Sequence, residues 1–177
     1  AWLVDLLAFR VPERQLFGVE VDPTRAAAVK GRLPAAGLAV IGGTRLPWRG
    51  ESFDVVVAST VFTSILDSSV QRALAAEITR VLKPGGALLW YDFAFSNPRN
   101  PHVRGLPERR LRELFPALRG AVQRVTLAPP ILRRVAPWSL TLTQLLSALP
   151  FLRSHLLGVL LKGQRPTHSP STSEDPR

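Results

Sequence analysis

The 177-residue sequence predicts a layered α/β domain with a mostly parallel sheet, and three observations carry that prediction. Short apolar runs rich in β-branched residues alternate with stretches of helical spacing. One run, "FDVVVAS" at Phe53–Ser59, is apolar at nearly every position, the pattern of a strand buried on both faces. An apolar fraction of 46% over this length supports one sizeable core and argues against disorder through most of the chain.

Taken in order, Ala1 to about Arg10 reads as a core helix, since "AWLVDLLAFR" has no basic leader and carries Asp5, unlike a secretion signal. Gln15 to Val21 reads as a strand that Asp22-Pro23 ends, and Thr24–Arg32 as a short helix closed by Leu33-Pro34. "GLAVIGG", Gly37–Gly43, gives the next strand, followed by Phe53–Ser59. Ser69–Leu82 places Val70, Leu74, Ile78, Val81 and Leu82 at helical spacing. "KPGG" then stops the helix, because proline cannot extend it and glycine takes the left-handed turn. A strand at Ala87–Phe93, a proline-broken loop and a basic helix from about Pro107 to Phe115 follow. Two last strands are expected at Ala121–Leu127 and Ser154–Leu161, with a Pro-rich helical insert between them at about 129–150. The domain is expected to span 1–163 and the polar tail, 164–177, to be disordered. The absence of methionine, even at position 1, suggests a piece that starts inside a longer protein.

Composition excludes several classes. Without cysteine there is no disulfide framework and no thiolate metal site, and three scattered histidines give no ligand spacing, so no metal is expected. The longest uncharged run, Val135–Leu152, contains Pro137, Pro150 and Gln144, and Leu142, Leu145, Leu146 and Leu149 fall on one helical face. It reads as an amphipathic helix and not as a membrane span. A cytoplasmic location is the accompanying expectation. The net charge of +10 is nearly all arginine, and Arg99–Arg134 holds nine arginines against Glu108 and Glu113 alone. Such a patch can hold phosphates, yet Phe115 is its only aromatic, so no base-stacking platform accompanies it.

Four motifs stand in fixed order: "GVEVDP" at Gly18–Pro23, "GGTRLPW" at Gly42–Trp48 followed by "FDVVV", "RVLKPGG" at Arg80–Gly86, and "WYDF" at Trp90–Phe93. Together they resemble the class I S-adenosylmethionine-dependent methyltransferases, in particular the broad bacterial methyltransferase-domain group acting on small molecules. The resemblance implies a Rossmann-like seven-stranded sheet of order 3-2-1-4-5-7-6 with an antiparallel last strand. It also implies S-adenosylmethionine as cofactor and a cofactor site made of Glu20, Val21, Thr44, Arg45, Leu46, Ser59 and Thr60. Glu20 takes the place of the acid that accepts hydrogen bonds from the ribose hydroxyls at a strand's carboxyl end. Asp22, two residues on, reads as a helix cap.

Two departures from the family pattern are visible. Gly43 stands where an acid toward the adenine amino group is expected, leaving backbone at Thr44 and Arg45 with Leu46 and Trp48 for that edge. The first strand and the glycine-rich loop after it are missing from these residues, which predicts a gap in the sheet between the strands at Leu16 and Val55. The enzyme of this reading is the parent protein, and a fragment that is inactive alone is an alternative.

The candidates for substrate contact or base work, the catalytic residues of this reading, are Tyr91 and Asp92 at the end of their strand and His102 in the following loop, with Arg104 beside it and "FTSILD", Phe62–Asp67, bordering the substrate. For Asp92 a strand-end carboxylate bonded to local backbone is an equal alternative, and for His102 an exposed loop histidine is another. A base is needed only where the acceptor keeps its proton at working pH. The expected function is methyl transfer to a small molecule, such as a sugar, a lipid-linked intermediate or a secondary metabolite. An RNA methyltransferase and a non-catalytic Rossmann-like fragment are the alternatives.

Overall fold

A computed structural model of the chain describes residues 10–96, 100–127, 134–135, 138–139, 144–146, 149 and 152–164. The expected helix at 1–10 therefore lies almost wholly outside the described residues, as do most of the 129–150 insert and the tail beyond Gln164. A 3-10 turn at Glu13–Gln15 leads into strand β1 (Phe17–Glu20), helix α1 (Pro23–Arg32) and strand β2 (Gly37–Val40). Strand β3 (Phe53–Ser59) is followed by a 3-10 turn at Phe62–Ser64, helix α2 (Ser68–Val81) and strand β4 (Leu82–Phe93). Helix α3 (Glu108–Leu114), strand β5 (Leu118–Leu127) and strand β6 (Arg153–Lys162) complete the order.

The strands form two sheets. β1 pairs with β2 in parallel, and a second sheet runs β3-β4-β6-β5, with β3 and β4 parallel and β6 antiparallel to both its neighbours. This is the order of the resembled fold with its central strand left out, so β1 and β3 each keep one edge unpaired among the described residues. The expected gap is thus present. Its floor is closed by three rings packed edge to face: Phe17 and Phe53 have centroids 5.5 Å apart, and Trp48 lies 6.1 and 5.0 Å from them.

Local chemistry explains the element ends. Asp22 caps α1 by accepting from the Thr24 and Arg25 amides at 2.8 and 3.4 Å, with Pro23 opening the helix. Asp67 does the same for α2 through Ser69 and Val70. The Thr24 and Arg25 amides hold the Asp22 carboxyl below its usual range, and the Ser69 hydroxyl, aided by the Ser69 and Val70 amides, does the same for Asp67. One boundary differs from expectation: "KPGG" lies within β4, whose pairing with β3 is irregular there, with Phe53 opposite Leu82 but Val55 opposite Ala87. Gly85 supplies φ +77°, and a Cβ on Gly86 would stand 2.9 Å from the Lys83 carbonyl oxygen. Lys83 also pairs with Asp54 at 2.8 Å, clamping the bulge to β3. The first strand starts at Phe17 and not Gln15, because a 3-10 turn takes up residues 13–15, and the second ends at Val40, three residues before Gly43.

The main core fills one side of the larger sheet. Phe62, Trp90 and Phe115 form its centre, their centroids 4.9–5.9 Å apart, with Leu88, Leu111, Leu118 and Leu160 buried around them. A small second core of Leu16, Leu33 and Ala36 holds α1 to the two-stranded sheet.

Candidate active site

Between the open edges of β1 and β3 lies a cleft of about 330 Å³, lined by Phe17, Gly18 and Val19 on one wall and Val55–Ser59 and Val61 on the other. From the Phe17–Phe53 contact at its floor both strands run along it, so its mouth lies where β1 and β3 end. Ligands of open α/β sheets sit at such carboxyl ends. Val55 and Val57, members of an all-apolar run, are 50% and 38% exposed here.

Glu20 ends β1. Its Oε1 accepts from the Val21 and Asp22 amides at 2.9 and 3.1 Å and pairs with Arg25 at 3.3 Å. Oε2 has no partner among the described residues, so half of the carboxylate is available to a ligand. The Glu20 carbonyl accepts from the Ile41 amide at 3.0 Å, tying the end of β1 to the loop after β2. In that loop a Cβ on Gly42 or Gly43 would meet nothing within 4 Å. Thr44 is half-buried and Arg45 is exposed. The Leu46 side chain lines the cleft, but its amide is taken by Glu77 Oε2 at 2.9 Å. Arg80 grips the same loop by donating to the Trp48 and Leu46 carbonyls at 2.8 and 3.1 Å, and pairs with Glu77 at 2.7 Å. This Glu77–Arg80 anchor was not foreseen from the sequence, where the pair reads as an ordinary i,i+3 surface contact.

At the end of β3, the Ser59 hydroxyl oxygen is buried with no hydrogen-bond partner among the described residues. Thr60, φ +52°, donates its amide to the Tyr91 carbonyl at 2.7 Å, and Ser59 stands opposite Tyr91 in the register. A β-branched residue in the left-handed region is a strained position of the kind that collects at functional sites. The structure therefore brings Ser59, Thr60 and Tyr91 together.

Asp92, next along β4, turns the other way. It is buried against the helix side, where Oδ2 accepts from the Phe62 and Thr63 amides at 3.0 and 3.2 Å. Oδ1 accepts from the Thr63 hydroxyl and from the Phe93 amide. Burial pushes its carboxyl up, and these donors oppose that. With its oxygens so occupied, Asp92 is an anchor for the turn after β3 more than an open base. His102 is exposed, with its amide bonded to Asn100 Oδ1 at 3.1 Å, and Arg104 reaches the Leu66 carbonyl at 3.5 Å. Neither contacts Tyr91.

The methyltransferase domain model matches residues 2–90, half of the chain, across the cleft and its mouth. The chain belongs to the methyltransferase domain family. A C-methyltransferase of ubiquinone and menaquinone biosynthesis from Syntrophotalea carbinolica is 33% identical over 121 residues, covering 66% of this chain and 48% of that protein. The chain spans less than half the length of the curated relatives it matches. Among solved structures, a SAM-dependent methyltransferase from Methanosarcina mazei superposes with a TM-score of 0.62 at 14% identity, over 84% of this chain and 82% of the other. The [4+2]-cyclase SpnF gives 0.63 at 17% identity, over 91% and 70%. These likenesses establish the Rossmann-like methyltransferase fold.

S-adenosylmethionine is the methyl donor of this family, and the methyltransferase domain's residues fit it in part. The open oxygen of Glu20 suits a ribose diol, and the Ser59 hydroxyl suits a polar group at the cleft mouth. When bound, the donor supplies an electrophilic methyl group. Among the described residues there is no cluster that would hold a metal ion and no helix long and apolar enough to cross a membrane.

Proposed function

We propose that the protein carrying this chain transfers a methyl group from S-adenosylmethionine to a small-molecule acceptor. The observation that carries this is that the two strands lining the cleft end in a half-free carboxylate, Glu20, and in a buried hydroxyl without a partner among the described residues, Ser59. Glu20 holds the ribose, with Val21 beside it. Thr44, Arg45 and Leu46 face the adenine, through side chains at Leu46 since its amide is spent on Glu77. Ser59 and Thr60 face the methionine end, and Tyr91 borders the acceptor. The domain then works by holding the acceptor atom in line with the methyl carbon at about 3–3.5 Å and excluding water, which supplies much of the rate.

The quinone-biosynthesis relative supports a small, ring-bearing acceptor. The RNA alternative draws no support from the arginine patch, because Arg109, Arg110 and Arg112 are spent on Glu113 and Glu108, and Arg124 lies over the Phe95 ring at 4.6 Å. Radiolabelled methyl transfer to a panel of phenols, quinols, sugars and total RNA tests the proposal. Label in a small molecule supports it. Label in RNA alone, with binding that falls steeply with salt, would replace it by the alternative.

A further inference from the structure

Tyr91 is held at both ends by strained threonines. Its carbonyl accepts from Thr60, and its phenol shares a hydrogen bond of 3.0 Å with Thr126 Oγ1; the two threonines have φ of +52° and +63°. Thr60 thus fixes the main chain of Tyr91 and Thr126 the end of its side chain, each from a strained left-handed backbone.

A third grip comes from His155, which the sequence did not single out. It sits opposite Phe93 at the start of β6, is 5% exposed, and stacks on the Tyr91 ring at 4.8 Å and 7°, with the Phe93 ring 4.1 Å away on its other contact. Its Nδ1 lies 2.9 Å from Ser154 Oγ, and that hydroxyl reaches the Thr126 carbonyl at 3.4 Å. The Ser154 hydroxyl has one hydrogen, which goes to His155 Nδ1 or to the Thr126 carbonyl, so this contact holds either tautomer of the ring. Tyr91 and Asp92 on β4 adjoin it, with Arg124 of β5 and Arg153 of β6 on neighbouring rungs. Burial holds its pKa below the usual histidine value, although Asp92 favours the charged ring.

We propose that His155 is a positioning residue for the acceptor end of the site, a neutral imidazole that clamps Tyr91 beside Ser59 and Thr60 and lets it go when protonated. The proposal rests on the reading of Tyr91 as an acceptor-side residue. A charge on a ring that water hardly reaches favours a conformer swung toward solvent, and the stack that holds Tyr91 is then lost. His155 needs no contact with the acceptor to act in this way.

The chain has one tyrosine, so 3-fluorotyrosine gives a single fluorine NMR signal that reports Tyr91 alone. In the chain as it stands, that signal should shift between pH 7 and 5 in step with the His155 ring resonances. His155→Phe, which keeps a flat ring, should abolish the step and leave the signal sharp. His155→Ala should displace and broaden it at every pH. His155→Gln serves if His155→Phe fails to fold. An identical Tyr91 signal in wild type and His155→Ala, or a pH step that persists in His155→Phe, would overturn the clamp. This measurement uses neither donor nor acceptor, so its failure is separate from failure of the methyltransferase proposal. With both bound, His155→Ala should lower kcat at least fivefold with donor affinity unchanged; an unchanged kcat would refute the positioning role.

Discussion

Three carboxylates near strand ends show how much one residue's environment decides. Asp22 is spent on helix amides, Asp92 is buried with both oxygens bonded, and Glu20 keeps one oxygen open. Asp92→Asn leaves one acceptor oxygen where two are used and turns an NH2 group toward buried donors. The expected cost is about 2–3 kcal/mol in urea unfolding, with the Phe62–Ser64 turn loosened. A cost near zero would mean that the carboxylate does not hold that turn. For His155 the folded-state pKa lies below the unfolded value, so between the two the unfolded chain binds more protons and stability rises with pH. Acidification below about pH 6.5 should therefore lower Tm in the wild type, and less so in His155→Phe. The cap carboxyls, depressed by their donors, lose their contribution only as pH falls further, from the ordinary carboxylate value down through their own lowered pKa. Glu20's place at the end of β1 was legible in "GVEVDP"; the inward turn of Asp92 was not. In "ALLWYDF" both strand faces are apolar, and alternation then gives no sign of which face a carboxylate takes.

At the scale of elements, α2 does more than cover the sheet. Through Glu77 and Arg80 it fixes residues 46–48, the loop that carries the Leu-Pro-Trp segment to the cleft. Glu77→Ala should free the Leu46 amide and lower stability by about 1 kcal/mol, a small value because the side chain keeps 21% exposure and solvent screens the pair. A change in the near-ultraviolet circular dichroism of the Phe17–Trp48–Phe53 cluster should accompany it. No change in that spectrum would show that the loop is held by packing alone. Strand and helix types were readable from periodicity because the apolar runs are short and the helices capped. The β4 bulge was read as a plain stop, since proline and two glycines signal a turn equally well whether the chain leaves the sheet or kinks within it.

The described residues form two sheets with facing open edges, in contact through a cluster of three rings. The expected order of strands, including the break, was legible because motif order maps onto strand order. The tie between Tyr91, His155 and Thr126 was not, since it joins three strands far apart in sequence. Strand amides that face the cleft lack partners on that side and should exchange hydrogen faster than those of β4, which is paired on both sides. Donor binding should slow exchange at the ends of β1 and β3 and leave β5 unaffected; equal slowing everywhere would point to general stabilisation without a site at the cleft. The most direct test is calorimetric titration of S-adenosylmethionine into the protein carrying this chain, wild type and Glu20→Ala. Loss of a charged acceptor for the ribose predicts affinity about ten- to a hundredfold weaker in the variant, and equal affinity would contradict the placement of the donor at the end of β1.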